Sequence, residues 1–97
     1  MGGSKIPENH KVWFVYIVEC VNKAFYTGVT CDIERRIKEH NFGNGGYFTR
    51  SFGPVKLLWQ EQHHGKSSAL KREAQIKRWT RSKKEALIAN DLNLLKK

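Results

Sequence analysis

Two apolar and aromatic runs lie close together near the start of the chain and constrain its fold most strongly. Residues 12–19 (VWFVYIVE) are apolar nearly throughout and of strand length, which is typical of a strand covered on both faces. Residues 21–23 provide a turn, and residues 24–30 (AFYTGVT) form the second run. We therefore expect a β-hairpin. Gly28 lies inside its second strand, where a glycine often marks a bulge or a close approach to the backbone.

The rest of the chain predicts one further strand and three helices, in the order β-β-α-β-α-α of a mixed α/β (α+β) protein. The expected strand covers residues 55–62, and the expected helices cover residues 33–41, about 69–80 and about 82–95. Asp32 is a suitable N-cap for the first helix, Ser67 or Ser68 for the second, and the capping box at residues 82–85 for the third. A glycine-rich loop separates the first helix from the third strand.

Length and composition indicate one small domain. The chain has 97 residues, of which 39% are hydrophobic, so a core is possible but small. We expect residues 1–10 to be a flexible start or tag remnant and residues 11–97 to form a single domain. No run approaches the roughly 20 apolar residues of a membrane span, and no signal peptide is evident, so we expect a cytoplasmic protein. Cys20 and Cys31 are then expected to be free thiols.

Positive charge is concentrated in the last third of the chain. The net charge is +9, and residues 65–97 hold ten Lys or Arg against three Asp or Glu. Such a surface suits a polyanion such as DNA or RNA, because binding releases counterions. A solvated, solubilising helix face would have the same composition.

One carboxylate is expected on an inward helix face. Leu70, Glu73 and Ile76 lie at helical spacing, and an inward carboxylate is unfavourable unless it is paired or binds a metal. Glu73 could form an ion pair with Lys77 or Arg36. Alternatively, it could bind Mg²⁺, a cation often held by one or two carboxylates together with phosphate oxygens.

Four more side chains have the chemistry for phosphodiester hydrolysis. Arg36 and His40 are four residues apart on one helix face, where an arginine can hold a phosphate and a histidine can relay a proton. They could equally be ordinary surface residues. Tyr16 and Tyr26 lie in the hairpin, where tyrosines are usually packing residues. A catalytic role requires both phenol oxygens to open onto the cleft that holds Arg36 and Glu73.

These residues together resemble the GIY-YIG endonuclease domain, and most closely the small stand-alone bacterial proteins of that family. The matching segments are residues 14–16 (FVY) and 26–28 (YTG), followed by Arg36, His40 and Glu73. The family's first glycine is replaced by Phe14, and Asn90 is the candidate for a late asparagine found in many members. The resemblance implies a three-stranded antiparallel sheet flanked by helices, and a nuclease that uses one divalent metal ion.

The resemblance also implies a role for each residue. Tyr16 and Tyr26 would surround the attacking water, one of them as general base. Arg36 would stabilise the phosphate, His40 would assist proton transfer, and Glu73 would bind the metal, Mg²⁺ or Mn²⁺.

The expected substrate is DNA, cut by a metal-dependent endonuclease that acts as a monomer. Five basic residues are expected to position the phosphate backbone: Arg35, Arg50, Lys77, Arg78 and Arg81. Tyr47 and Phe48 in the glycine-rich loop could stack on unpaired bases, which would favour single-stranded or branched DNA. Two alternatives remain open at this point: a non-catalytic nucleic-acid-binding module, and a domain that docks on an acidic protein.

Overall fold

The fold is known from a computed structural model, which describes residues 12–41 and 55–90. Within these ranges it contains three strands and three helices in the predicted order. The strands are β1 (Trp13–Glu19), β2 (Phe25–Thr30) and β3 (Lys56–His63), and the helices are α1 (Ile33–Asn41), α2 (Lys66–Lys77) and α3 (Arg81–Ile88). The expected α+β class and element order are therefore confirmed.

The first two strands form the predicted hairpin. They are antiparallel, with Tyr16 opposite Gly28. The turn is closed by two backbone hydrogen bonds of 2.9 Å between Cys20 and Ala24 and between Lys23 and Cys20. Lys23 adopts a positive φ of 73°, and the amide of Ala24 donates to the side chain of Asn22. This turn fixes the register that brings Tyr16 beside Gly28.

The third strand pairs with the other edge of β1, so the sheet order is β2-β1-β3 and all neighbours are antiparallel. A bulge interrupts the β1–β3 pairing, because Ile17 is opposite Trp59 whereas Val18 is opposite Leu57. The central position of β1 explains why its sequence is apolar at almost every residue.

Successive side chains of β1 enter two different cores, as the pleat of a strand requires. Val15 and Ile17 are fully buried with residues of α2 and α3, including Ile76. Tyr16 and Val18 are buried in a second cluster, against which Ile33 and Ile37 of α1 also pack. The two faces of the sheet are thus covered by different helices, and the predicted burial of β1 on both faces is confirmed.

Both later helices begin earlier than predicted, and their caps differ. The N-cap of α2 is Gly65, which has no side chain to cap with, and neither Ser67 nor Ser68 has that position. The N-cap of α3 is Thr80, whose hydroxyl accepts a hydrogen bond from the Lys83 amide at 3.2 Å. The expected capping box beginning at Ser82 is therefore wrong.

The inward face of α2 also differs from the prediction. Ala69 and Ile76, seven residues apart, are both fully buried, whereas Leu70 is 44% exposed. Two helical turns separate Ala69 from Ile76, so they share one face and Leu70 lies beside it. The last helix ends at Ile88, and Asn90 follows with a positive φ of 60°, so the expected helix to about residue 95 is too long.

The remaining sequence predictions concern the two cysteines, membrane-spanning helices, the start of the chain and the glycine-rich loop. Cys20 and Cys31 are free thiols, as expected. No helix among residues 12–41 and 55–90 has the length and apolar character needed to cross a membrane. The expected flexible start, and the glycine-rich loop with Tyr47, Phe48 and Arg50, lie outside the described residues.

Candidate active site

Tyr16 lies at the centre of the candidate site, and Gly28 makes room for it. The tyrosine is 1% exposed. A Cβ atom added at Gly28 would lie 2.5 Å from the Tyr16 hydroxyl oxygen and 2.6 Å from Cζ. The tyrosine ring therefore rests against the neighbouring strand where a side chain would otherwise be, as the glycine in the strand predicted.

Helix α1 contributes the arginine and the histidine. Its predicted N-cap is confirmed, because the Asp32 carboxylate accepts a hydrogen bond from the Arg35 amide at 3.1 Å. Arg36 and His40 lie one turn apart, and both reach the Tyr16 hydroxyl. The Arg36 Nε donates to the hydroxyl oxygen at 3.4 Å, and His40 Nε2 lies 3.0 Å from the same oxygen.

Tyr26 completes the cluster from the adjacent strand. Its ring centroid lies 5.3 Å from that of His40, in an edge-to-face arrangement, and 6.4 Å from that of Tyr16. Tyr26 is half-buried, whereas Tyr16 is almost fully buried. The expectation that both phenols open onto one cleft therefore fails for Tyr16, whose oxygen instead joins Arg36 and His40.

Glu39 is a member of this cluster that sequence reasoning missed. Its Oε1 accepts from Arg36 Nη1 at 3.1 Å, and its other oxygen lies 3.9 Å from Arg35 Nε. The only available signal was the i,i+3 spacing from Arg36, which many surface helices also have. The ion pair with Glu39 holds the Nη1 end of the Arg36 guanidinium, while the Arg36 Nε donates to Tyr16.

The protonation states follow from burial and from the Arg36 charge. Burial lowers the pKa of His40, and the nearby Arg36 charge lowers it further, so the imidazole is neutral at neutral pH. Burial raises the pKa of Tyr16 despite the opposing effect of Arg36. The hydrogen bond with Tyr16 raises the pKa of Arg36, which therefore stays charged. The cluster thus combines a neutral phenol, a neutral imidazole and a fixed positive charge.

Glu73 lies on α2, which packs on the face of the sheet opposite to α1. Its Oε2 lies 3.4 Å from Lys77 Nζ, so the ion pair considered from the sequence is present. The Glu73 side chain is 20% exposed, and its charge contributes to the raised pKa of Tyr16. The structure therefore brings Tyr16, Tyr26, Arg36 and His40 together, whereas the ionic partner of Glu73 is Lys77 on its own helix.

Comparison with known proteins identifies the family to which these residues belong. The family model of the GIY-YIG catalytic domain matches residues 12–86. This chain belongs to the GIY-YIG family. GIY-YIG domains are nuclease domains, so the family implies a nucleic-acid substrate and, in general, a divalent metal ion.

Three relatives illustrate the similarity. A UPF0213 protein from Haloquadratum walsbyi is 50% identical over 74 residues, which cover 76% of this chain and 83% of the relative. A UPF0213 protein from Vibrio cholerae is 47% identical over 78 residues, covering 79% and 77%. The solution NMR structure of a UPF0213 protein from Bacillus halodurans is 39% identical, with a TM-score of 0.54, covering 82% of this chain and 85% of that one.

The donor set fits the divalent metal that GIY-YIG nucleases generally use. Among the described residues, no group of three or more His, Cys, Asp or Glu side chains could hold a metal ion. A single carboxylate, Glu73, suits Mg²⁺ or Mn²⁺, which take oxygen ligands and keep several waters. It does not suit a zinc site, which needs three or four protein ligands.

The basic residues expected to contact phosphate differ in their surroundings. Lys77 is paired with Glu73, and Arg35 is 64% exposed beside Glu39. Arg81 binds several groups at once: it donates to the Lys23 carbonyl at 2.9 Å, pairs with Glu85 at 3.2 Å, and lies 3.8 Å from the centroid of the Phe25 ring. Arg81 thereby ties α3 to the hairpin. Arg78 is exposed at the end of α2.

The two arginines at the α2–α3 junction should therefore respond differently to substitution. We expect Arg78→Ala to weaken DNA binding at all sequences and to reduce the slope of log K against log salt by about one. Arg81→Ala should instead lower the free energy of unfolding by about 1–2 kcal/mol, because it removes a hydrogen bond and a cation–π contact. Fluorescence anisotropy at several salt concentrations and thermal unfolding measure the two effects. Equal loss of binding with unchanged melting temperatures would contradict this assignment.

The lowered pKa of His40 predicts a specific acid sensitivity. The unfolded chain takes up this proton near the ordinary value of 6.5, whereas the folded protein resists it. The contribution to stability is thus complete above the unfolded pKa and is lost as pH falls through the folded pKa. Between about pH 7 and about pH 5, we expect the melting temperature of the wild type to fall more steeply than that of His40→Gln. The exposed His64→Gln serves as control and should keep the wild-type slope.

Proposed function

We propose that this protein is a DNA endonuclease that hydrolyses phosphodiester bonds with one divalent metal ion, Mg²⁺ or Mn²⁺, in the bacterial cytoplasm. The observation that carries the proposal is the Tyr16 hydroxyl, which lies 3.4 Å from Arg36 Nε and 3.0 Å from His40 Nε2. A buried phenol with these two partners places a fixed charge and a proton acceptor together, with a second phenol beside them.

Arg36 is proposed to stabilise the charge on the phosphate in the transition state. Hydrogen bonds to Tyr16 and Glu39 fix the guanidinium, and 30% of its side chain is exposed. A positive charge that is held in place before the reaction stabilises a developing negative charge without reorganisation.

Tyr26 is proposed as the phenol that meets the attacking water. It is half-buried, whereas Tyr16 is 1% exposed, so water reaches Tyr26 more readily. A neutral phenol can accept the water proton only if it passes its own proton on. Neutral His40 is the proposed acceptor through Nδ1, which is buried and has no hydrogen-bond partner in the described part of the structure, whereas Nε2 is occupied by Tyr16. The ring centroids of Tyr26 and His40 lie 5.3 Å apart.

Glu73 would hold the metal ion, with water and phosphate oxygens as the other ligands. A bound divalent ion supplies positive charge to the phosphate and to the leaving oxygen. The ion pair of Glu73 with Lys77, at 3.4 Å, would have to open for a divalent cation to bind the carboxylate.

The form of DNA is proposed from the basic surface and from the glycine-rich loop. Exposed Arg35 and Arg78 suit the sugar-phosphate backbone, as does Arg50, which lies outside the described residues. Tyr47 and Phe48 of the same loop are proposed to stack on unpaired bases, so single-stranded or branched DNA is the preferred substrate.

A second function is supported by two of the same observations. Tyr16 is almost fully buried, and Glu73 already has an ionic partner, so both residues could serve packing alone. The chain would then be a nucleic-acid-binding module of the GIY-YIG fold that does not cleave.

One experiment separates the two functions. Purified protein is incubated with supercoiled plasmid, single-stranded DNA, a forked DNA and RNA, in Mg²⁺, Mn²⁺ or EDTA. We expect metal-dependent nicking that Tyr26→Phe slows by about 10²–10⁴-fold, as the loss of an acid-base group does. Salt-sensitive binding without cleavage of any DNA in either metal would overturn the endonuclease proposal and support the binding module.

A further inference from the structure

A second group of reactive side chains lies where β3 ends and α2 begins. The Ser68 hydroxyl lies 2.6 Å from His63 Nδ1, and His63 Nε2 lies 2.8 Å from Glu61 Oε1. None of these three residues belongs to the cluster around Tyr16. A serine, a histidine and a carboxylate thus form a continuous chain of short hydrogen bonds.

The direction of these hydrogen bonds follows from the carboxylate. Arg72 donates to both oxygens of Glu61, at 3.0 and 3.5 Å, so both oxygens act as hydrogen-bond acceptors. His63 must then donate from Nε2, which leaves Nδ1 of the neutral ring as an acceptor for the Ser68 hydroxyl proton. In an activated serine, the hydroxyl donates a hydrogen bond to a base, and a third group orients that base. Ser68, His63 and Glu61 have this arrangement.

The surroundings provide space for a substrate. His63, Ser68 and Lys71 line an open cavity of about 610 Å³, within the range of small-molecule sites. The ammonium group of Lys71 gives this cavity a positive charge. Ser68 lies in the first turn of α2, and Gly65 caps that helix without a side chain. Backbone amides of a first helical turn lack acceptors within the helix and can stabilise an oxyanion.

We propose that Ser68 is a nucleophile and that this cavity hydrolyses small carboxylic esters, independently of nucleic-acid cleavage. The Ser68 oxygen attacks the ester carbonyl, forming a C–O bond while its proton passes to His63 Nδ1. The bond to the leaving alkoxide breaks, and the alkoxide takes the proton from Nδ1. Water then attacks the acyl carbon and gives a proton to His63 Nδ1. The bond between the acyl carbon and the Ser68 oxygen breaks as that oxygen takes the proton back from Nδ1, which releases the acid and the free serine. Glu61 and Arg72 act only by positioning His63.

A fluorophosphonate probe tests this directly, since the serine oxygen forms a bond to phosphorus as fluoride leaves. We expect one probe per chain, located on Ser68 by peptide mass spectrometry, and no labelling of Ser68→Ala. His63→Gln should slow labelling by about a hundredfold, as loss of a general base does. The exposed Ser82→Ala on α3 should label like the wild type.

A second readout is the hydrolysis of p-nitrophenyl acetate, with an initial burst that matches the amount of acyl-enzyme. Circular dichroism and thermal unfolding of each variant verify that it is folded. No labelling of the folded wild type, labelling at another residue, or an unchanged labelling rate in folded His63→Gln would each overturn the proposal.

Discussion

Gly28→Ala is expected to remove nicking activity almost completely and to destabilise the fold. The added Cβ would lie 2.5 Å from the Tyr16 hydroxyl oxygen and 2.6 Å from its Cζ, closer than any real contact. Tyr16 cannot turn away freely, because it is 1% exposed and bound to Arg36 and His40. We expect a loss of about 1–3 kcal/mol in the free energy of unfolding, as for other overpacked cores. A displacement of about 1 Å at the site should reduce the cleavage rate by about 10²-fold or more.

Gly65→Ala is the matched control for this substitution. A Cβ atom at Gly65 meets nothing within 4 Å, and the backbone there is extended, so any residue can adopt it. Alanine is a poorer N-cap than glycine, but it also restricts the unfolded chain, and the two effects should keep the change within about 1 kcal/mol. Chemical denaturation and plasmid nicking measure both variants. If Gly28→Ala matched Gly65→Ala in both, the close approach of Tyr16 to the strand would not matter for the site.

The hairpin and the order of elements could be predicted because local sequence determines them. Residues 12–18 are apolar at successive positions, which is typical of a strand covered on both faces, and Asp32 caps α1 at the predicted residue. The starts of α2 and α3 were misplaced because several residues could cap each helix. The N-caps are Gly65 and Thr80 rather than Ser67, Ser68 or Ser82.

The site could be predicted as a set of residues, but its contacts could not. The spacing of Arg36 and His40 predicts that both lie on one face of α1, and Gly28 within a strand indicates that another group approaches the backbone there. Nothing in the sequence showed that the approaching group would be Tyr16, or that Glu39 would hold Arg36, because these contacts depend on the register of β1 and β2 and on the position of α1. The Glu61–His63–Ser68 chain joins residues across a turn and was not recognised for the same reason.

The second large effect is expected for Glu73→Gln, which should abolish metal-dependent cleavage while the protein stays folded. The amide keeps the shape of the side chain but loses the charge that a divalent cation needs. Loss of metal-assisted stabilisation is worth several kcal/mol of transition-state energy, or a reduction in rate of about 10³-fold or more. The melting temperature should barely change, because Glu73–Lys77 is an i,i+4 pair whose lysine side chain is 55% exposed, and such pairs contribute less than about 1 kcal/mol.

Glu85→Gln is the matched control for Glu73→Gln. Glu85 forms an i,i+4 ion pair with Arg81 on α3 at 3.2 Å, and Glu73 forms an i,i+4 ion pair with Lys77 on α2. The two substitutions remove the same charge from the same kind of pair, and both glutamates lie on the basic helices. Burial is the main cause of the raised pKa of Tyr16, and of these two glutamates Glu73 alone adds to it, so we expect the loss of Glu73 rather than Glu85 to change the site. Nicking rates in a Mg²⁺ and Mn²⁺ titration, together with DNA binding in EDTA, measure the difference. Equal activity of the two variants would remove Glu73 from the proposed metal site, and equal loss would show that charge on the helices, rather than metal binding, controls cleavage.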